Sequence, residues 1–491
     1  PEAVDALLDV PVPVESWSDF ETLFAWDQRP AEADSAIRLP CPLGLAVRGF
    51  FAEGGVKAYV VRTGDPLPLL DRGDAASVIA AKRRLVSWAA ASPPANAELR
   101  VPLLPGFADQ GTPADAGDPA TWHGAAHVWG LDDVALLSLP DLPDLFAGPP
   151  GPASVPPGPP PPPEIFKTCA PLAAGTEPDA RLSRLTITAP RLDRAGYLDW
   201  SNGVSHVLRL LAAPRGPGHR RDVMLVASLP LPSLEPDATP PRSEAWPLAL
   251  LDEVDLPGEG QRLLDTGRLG SARLQLAYPW IETAASAGLP EGVEGAEGVL
   301  LGAIARTSLQ EGAFRSAAGT ALVSVMRTLP ELGSGDIATG LPSGRADWLG
   351  DRLSLVGFKA GRTVILSDAT ASSDRQWRPG GVSRLMNVIL RAAKSLGGDK
   401  LFESAGPALW ASLRRELEGF MGRLWDAGAL SGASPAEAYS VRCDATTMSQ
   451  SDIDAGRTIV GLAFTAAQPI QKITVTLALL EASDAVRSEA A

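Results

Sequence analysis

The chain is poor in cysteine and histidine. In 491 residues there are three cysteines (Cys41, Cys169, Cys443) and four histidines (His123, His127, His206, His219). The cysteines are scattered and odd in number, and no CxxC occurs. That argues against a disulfide framework or a cysteine zinc site and fits a reducing cytoplasm. No apolar run reaches the roughly 18 residues a membrane-spanning helix needs. No signal peptide is read, and the chain opens on Pro1 rather than Met, as a processed or missing start would leave it. Positive charge is also short: Lys+Arg is 43 against Asp+Glu 58, a net −15. This argues against a general nucleic-acid binder and for a self-repelling surface, with a local basic patch still open. Neither a Walker A sequence nor a G-x-S-x-G elbow appears, so a P-loop and an α/β-hydrolase nucleophile turn are not read here.

What is present is a large core. Hydrophobic residues make up 45%, and the length fits about two to four domains. "VPVPVESWSDFETLFAW" reads as a strand then a helix, capped by Ser16 or Ser18 with Asp19 and Glu21 in its first turn. In "PLGLAVRGFFAEGGVKAYVVRT", Leu43, Val47, Phe50 and Phe51 form a helical face, Gly54-Gly55 stops it, and a strand follows. "DDVALLSLPD" is an apolar strand stopped by Pro140. "GPPGPASVPPGPPPPPE" (148–164) predicts polyproline II, as a stiff linker, an exposed loop or an SH3-type ligand. Beyond it, "RLTITAP", "DVMLVASLP" and "SARLQLAYPW" read as strands, "GVLLGAIARTSLQEGAFRSAAG" as a small-residue helix, and "DRLSLVGFKAGRTVILSDAT" as a hairpin turning near Ala360-Gly361.

The C-terminal region is the most legible. "VSRLMNVILRAAKSL" has Leu385, Met386, Ile389 and Leu390 on one side. "PALWASLRRELEGFMGRLWDAGAL" carries Leu409, Leu413, Leu417, Phe420 and Leu424, widened by Trp410, Met421 and Trp425, with Gly428 as C-cap. "SPAE" predicts a capping box on Ser434 and Glu437, and "SQSD" repeats the signal for a short helix closed by Gly456. "AYSVRCD", "RTIVGLAF" and "IQKITVTLALLE" read as strands, the last with Ile473, Val475, Leu477 and Leu479 in alternation.

Several clusters invite a chemical reading. "HGAAH" has the i, i+4 spacing of a helical metal pair, but no glutamate joins it and Gly124 weakens the helix. "GSGDIATG" (333–340) resembles a phosphate loop without its GK[ST] ending, so a surface loop is the simpler reading. Cys443 would be a nucleophile only with a lowered pKa, and no histidine lies near it in sequence. Asp452 fits the front of a short helix better than a calcium loop. The basic residues Arg384, Arg391 and Lys394 on one helix, and Arg414, Arg415 and Arg423 on the next, fit a charged interface or a solvated face.

"LFESAGPALWASLRRELEGFMGRLWDAGALSGASPAEAYSVRCDATTMSQSDIDAGR" (401–457) resembles contractile tail sheath proteins. These belong to myophages, R-type pyocins and phage-tail-like contractile injection systems. "VPVPVESWSDFETLF", "AVRGFFAEGGVKAYVVR", "LDDVALLSLPD", "AYPWI" and "GAIARTSLQEGAFRSAAG" resemble the family's upstream phrases in the same order. The family's "PGVYVEE"-like opening arm is not among the matching phrases, and "GRTVILSDATASSD" and the polyproline stretch depart from its pattern.

The resemblance implies a multidomain α/β chain with a subtilisin-like α/β sandwich region lacking catalytic residues, plus a C-terminal α+β sheath domain with terminal exchange strands. Residues 1–147 would begin the outer α/β region, 148–164 form a linker or loop, 165–375 complete the outer and middle region, and 376–491 form the inner domain. It implies a non-enzymatic subunit without cofactor or metal. Such subunits stack as hexameric rings around an inner tube and contract to drive the tube through an envelope. The implied partners are further copies of the chain, the tube protein, and baseplate and cap proteins, with no nucleic acid and no membrane insertion. Assembly would take place in the cytoplasm of the producing bacterium, and the product would be a phage tail or tail-like particle. Ile470, Ile473, Val475, Leu477 and Leu479 are the inter-subunit strand candidates, with an internal strand as the other reading. Arg384, Arg391, Lys394, Arg414, Arg415 and Arg423 are the inner-tube contact candidates. The alternatives are a non-contractile cap or baseplate component of the same particle, or an enzyme using His123/His127 or Cys443.

Overall fold

The computed structural model describes residues 7–31, 36–63, 68–69, 115–148, 187–212, 219–234, 246–255, 270–340, 348–400, 406–454, 457–467, 473–479 and 487–490. The Pro-rich stretch from 149 onward, Cys169, Gly456 and Ile470 lie outside them.

The first elements are β1 (Val12–Val14), α1 (Trp17–Leu23), α2 (Pro42–Ala52) and β2 (Ala58–Val60). Ser16 caps α1 by accepting a hydrogen bond from Asp19 N–H at 3.1 Å. Cys41 takes the same role at α2, where Gly44 N–H donates to its sulfur at 3.4 Å and Pro42 opens the helix. Gly54, with φ +100°, ends it. β1 and β2 pair antiparallel, and Val12, Val14, Phe20, Val47 and Val60 close a small core between them and the helices.

The central layer is a five-stranded sheet of β3 (Leu136–Ser138), β4 (Met224–Ser228), β5 (Leu274–Tyr278), β6 (Ser354–Lys359) and β7 (Arg362–Ile365), in the order β7-β6-β5-β4-β3. The pairs β3–β4, β4–β5 and β5–β6 are parallel, and only the β6–β7 hairpin is antiparallel. Its turn falls at Ala360 (φ +51°) and Gly361 (φ +75°), the left-handed pair a two-residue turn of this hand requires.

Helices cover both faces of the sheet. α3 (Arg194–Leu211) and α4 (Trp246–Asp255) bring Trp200, Val204, Val207, Trp246 and Leu251 into one core with Leu225, Ala227, Leu274 and Leu276. α5 (Glu297–Glu311) brings Val299, Leu300, Ala303 and Ile304 into the other with Val226, Ala277 and Val356. Alternate residues of one strand thus serve opposite cores. This is why "DVMLVASLP" reads as a continuous apolar run rather than an alternation. β3 precedes the Pro-rich stretch and β4–β7 follow it, so both flanks contribute to one sheet. In "RLTITAP" the expected strand does not form over its described part. Ile187 makes a single bridge, and a two-residue strand starts at Arg191.

The C-terminal part holds α6 (Gly380–Gly398), α7 (Pro407–Asp426), β8 (Tyr439–Arg442), α8 (Gln450–Asp454), β9 (Thr458–Phe464), β10 (Ile473–Leu479) and β11 (Arg487–Ala490). The four strands form an antiparallel sheet in chain order. Its core joins Leu385 and Ile389 of α6, the four-residue ladder Leu409, Leu413, Leu417, Met421 of α7, and Val441, Val460, Leu462 and Phe464 of the sheet. Gly428, with φ +76°, closes α7 as expected.

The two capping-box expectations fare differently. At the first, Ser434 stands at the cap position and Pro435 opens the turn, but the Ser434 side chain makes no capping bond. Glu437 instead takes the amide of Ala433 at 3.0 Å. At the second the box is complete. Asp452 N–H donates to Ser449 Oγ at 3.2 Å, and Asp452 Oδ2 accepts from Ser449 N–H at 2.9 Å.

Candidate functional site

The chemical candidates prove to be committed elsewhere. Cys443 is 2% exposed inside the C-terminal core. Burial pushes its thiol up to about 11, and the neighbouring Asp444 carboxylate adds to the shift. A thiol so raised holds almost no thiolate near neutral pH and is a poor nucleophile. Asp444 is spent on its own turn, accepting from the amide (2.8 Å) and hydroxyl (2.5 Å) of Thr446. Those bonds hold its carboxyl below the usual range. Asp452 caps α8 and pairs with Arg457 at 2.6 Å.

His123 and His127 do not sit on an α-helix. They flank and enter a 3-10 turn at Gly124–Gly130, where Gly124 has φ +53°. Both turn to one carboxylate: His123 Nδ1 contacts Asp9 Oδ2, His127 Nε2 lies 3.2 Å from Asp9 Oδ1, and Gly124 N–H donates to the same oxygen at 2.8 Å. The result is a tie between the N-terminal segment and the 123–130 turn. Among the described residues, no group of three or more His, Cys, Asp and Glu side chains is arranged to hold a metal ion. In "GSGDIATG", the Asp336 carboxylate takes Gly333 N–H at 2.6 Å. An acidic oxygen therefore occupies a donor that a phosphate would need.

The six basic candidates fall into two sets on two helices. Arg384, Arg391 and Lys394 lie seven and three residues apart and share one side of α6. That side faces the α/β layer. Arg384 (5% exposed) grips Asp368 at 2.6 and 3.1 Å, donates to Ala313 O at 3.0 Å and to Arg315 O at 2.9 Å. Asp368 also accepts from Ala317 N–H at 2.8 Å and from Gln275 Nε2 of β5 at 2.7 Å. Burial alone would raise the Asp368 carboxyl, but the Arg384 charge and this full set of donors hold it below the usual carboxylate range.

Arg391 donates to Asp222 Oδ2 and to Asp222 O, each at 3.1 Å, and Asp222 is shared with buried Arg220 at 3.1 Å. Lys394 reaches Asp132 at 2.9 Å on the surface. One face of α6 is therefore a row of ion pairs, running from buried to exposed, that binds the C-terminal helices to the sheet. Sequence reasoning missed Asp368, Asp222 and Asp132. They lie 16, 169 and 262 residues from their partners, and no short motif connects them.

Arg414, Arg415 and Arg423 are exposed on α7. Arg414 lies 3.9 Å from Glu418, Arg415 donates to Ala411 O, and Arg423 lies over the Phe420 ring at 5.9 Å. All three guanidinium groups remain accessible. Of the strand candidates, Ile473, Val475, Leu477 and Leu479 fall in β10. Its register sets them opposite Phe464, Leu462, Val460 and Thr458 of β9.

With this geometry in view, comparison with known proteins is informative. Residues 372–479 match the family model for the phage tail sheath C-terminal domain. No curated protein matches the chain. Among solved structures it is similar to the anti-feeding prophage baseplate (17% identity, 94% of this chain and 86% of that one, TM-score 0.53). It is also similar to the PVC sheath complex of an extracellular contractile injection system in its contracted state (17%, 94% and 84%, TM-score 0.52). The contracted helical sheath of the anti-feeding prophage is a third (17%, 95% and 87%, TM-score 0.51). At this identity the likeness is one of fold. Residues 372–479, built from α6, α7 and β8–β10, match the phage tail sheath C-terminal domain, and the mixed α/β chain that carries them is similar in fold to contractile-sheath structures.

Proposed function

We propose that the chain is the structural subunit of a contractile sheath. It polymerises as stacked hexameric rings around an inner tube and, on a baseplate trigger, collapses collectively to a shorter, wider helix that drives the tube through a target envelope. The observation that carries this reading is the match of residues 372–479 to the sheath C-terminal domain, joined to fold likeness over 94–95% of the chain. The work is mechanical, with free energy stored in assembled interfaces rather than in a chemical bond, and the subunit is no enzyme. Residues 1–147 and 165–375 would form the outer region, and 376–491 the inner domain against the tube.

The tube contact is assigned to Arg414, Arg415 and Arg423. Arg384, Arg391 and Lys394 already spend their donors within the chain. Arg414→Glu combined with Arg415→Glu should abolish sheath formation on tubes, scored by electron microscopy. Normal sheaths from the double mutant would remove the assignment. β10 and β11 are further proposed to complete a neighbour's sheet in the particle, in the register they keep within one chain. Cysteines at Gly461 and Thr476, directly opposed across β9–β10, test this. Exchange should give a covalent ladder from assembled particles on a non-reducing gel, and monomers alone would refute it.

A second reading, a sheath-like baseplate or cap component, is favoured by one observation: the anti-feeding prophage baseplate is as similar in fold as the sheaths. Negative-stain microscopy of the purified chain discriminates. Striated hollow cylinders support the sheath, whereas rings or monomers alone support the second reading.

A further inference from the structure

At the foot of α5, two carboxyl groups are buried, and among the described residues neither is in an ion pair. Glu297, the first residue of α5, is 2% exposed, and its Oε2 has no hydrogen-bond partner among the described residues. Glu294 is 7% exposed and holds only the Thr283 hydroxyl by its side chain. Both border a small, partly open cavity of about 30 Å³, walled also by Arg29, Leu45, Pro140 and Trp280. The site lies beyond the carboxyl end of β4, where Ser228 Oγ accepts from Glu297 N–H at 3.1 Å and caps α5 from across the sheet.

The same turn of α5 is in backbone contact with α2. A Cβ on Gly298 would fall 2.4 Å from Ala46 O, and one on Gly302 would fall 2.4 Å from Phe50 O. Glu297 thus stands in the turn of α5 that is pressed directly against α2.

We propose that Glu294 and Glu297 form a proton-held latch, which keeps the α2–α5 seam closed while both are neutral acids and opens it when they ionise. The charged groups facing them come from every neighbouring element. Arg29 is already taken by Asp144 at 2.6 Å. Arg48 of α2 acts on Glu294 from a distance. Asp141, itself buried, and Glu294 both disfavour a charge on Glu297. Cys41 at the α2 cap is a neutral thiol, pushed up to about 12 by burial.

Burial therefore dominates, lifting Glu297 to about 8 and Glu294 to about 7 from ordinary values near 4.5. For an acid raised on folding, the folded state keeps a proton that the unfolded state has lost. Stability is full below the ordinary value and falls as pH rises toward the folded one. Each such group raises the unfolding equilibrium constant up to about tenfold per pH unit within the window.

The test is the unfolding equilibrium of the purified full chain between pH 5.5 and 8.5. Wild type should lose stability steadily across this range. Glu297→Gln, neutral at every pH, should remove one tenfold-per-unit component, and Glu294→Gln a second below pH 7. Infrared difference spectra give a readout independent of either variant's folding. A protonated-carboxyl C=O band should be present in wild type at pH 6 and vanish by pH 9, as amide hydrogen exchange in the first turn of α5 speeds up by more than hydroxide catalysis alone produces. Unchanged pH slopes in both variants, or no such band in wild type, overturn the latch.

Discussion

Arg384 and Asp368 form one of the most deeply buried ion pairs among the described residues. Their side chains are 5% and 0% exposed, and their donors and acceptors are matched. Removing one partner leaves an unpaired buried charge, so Asp368→Ala should cost about 3–5 kcal/mol in chemical denaturation. Because folding lowers the Asp368 carboxyl, its contribution is complete above the ordinary carboxylate value. It is lost as pH falls through the folded one, the opposite sign to the glutamate latch. Cys443 allows a second check. With its thiol at about 11 and buried, alkylation of that site at pH 8 should be slow in the native chain and fast in denaturant, read by mass spectrometry of its peptide. The sequence already argued Cys443 into a structural role, since no histidine stands near it. It was silent on Asp368, whose partner is unremarkable until the chain folds.

Elements were legible where local chemistry decides them. Ser16, Gly54, Gly428 and the Ala360-Gly361 turn stand where expected, because caps and turns are set by the conformational freedom of a few adjacent residues. The Ser434 box failed in part for a local reason as well: Glu437 found Ala433 N–H a better-placed donor than the cap residue. "GVLLGAIARTSLQ" announced a close-packing helix, but not its partner. The close approach of α5 to α2 at Gly298 and Gly302 is the element-scale consequence. Gly302→Val should push the two helices apart and destabilise the chain by about 1–3 kcal/mol, the usual cost of overpacking, measured as a shift in denaturation midpoint.

For the whole molecule, the row of pairs on α6 ties the C-terminal helices to the α/β layer. Substitution to alanine should rank Arg384 above Arg391 above Lys394 in stability lost, because the cost follows burial. The exposed Lys394–Asp132 pair should contribute only about 0–1 kcal/mol. A reversed ranking would mean that α6 does not join the two parts. The resemblance of the C-terminal region to sheath proteins, and the caps and turns at Ser16, Gly428 and Ala360-Gly361, were set by the sequence alone. They depend on residue type and on spacing over a few turns of chain. The single sheet built from both sides of the Pro-rich stretch, the inward commitment of Arg384 and Arg391, and the buried carboxyls at the foot of α5 were decided only by tertiary structure. Each depends on which distant residues share a dry interior, and there the cost of an unpaired charge is far greater than any local preference can signal.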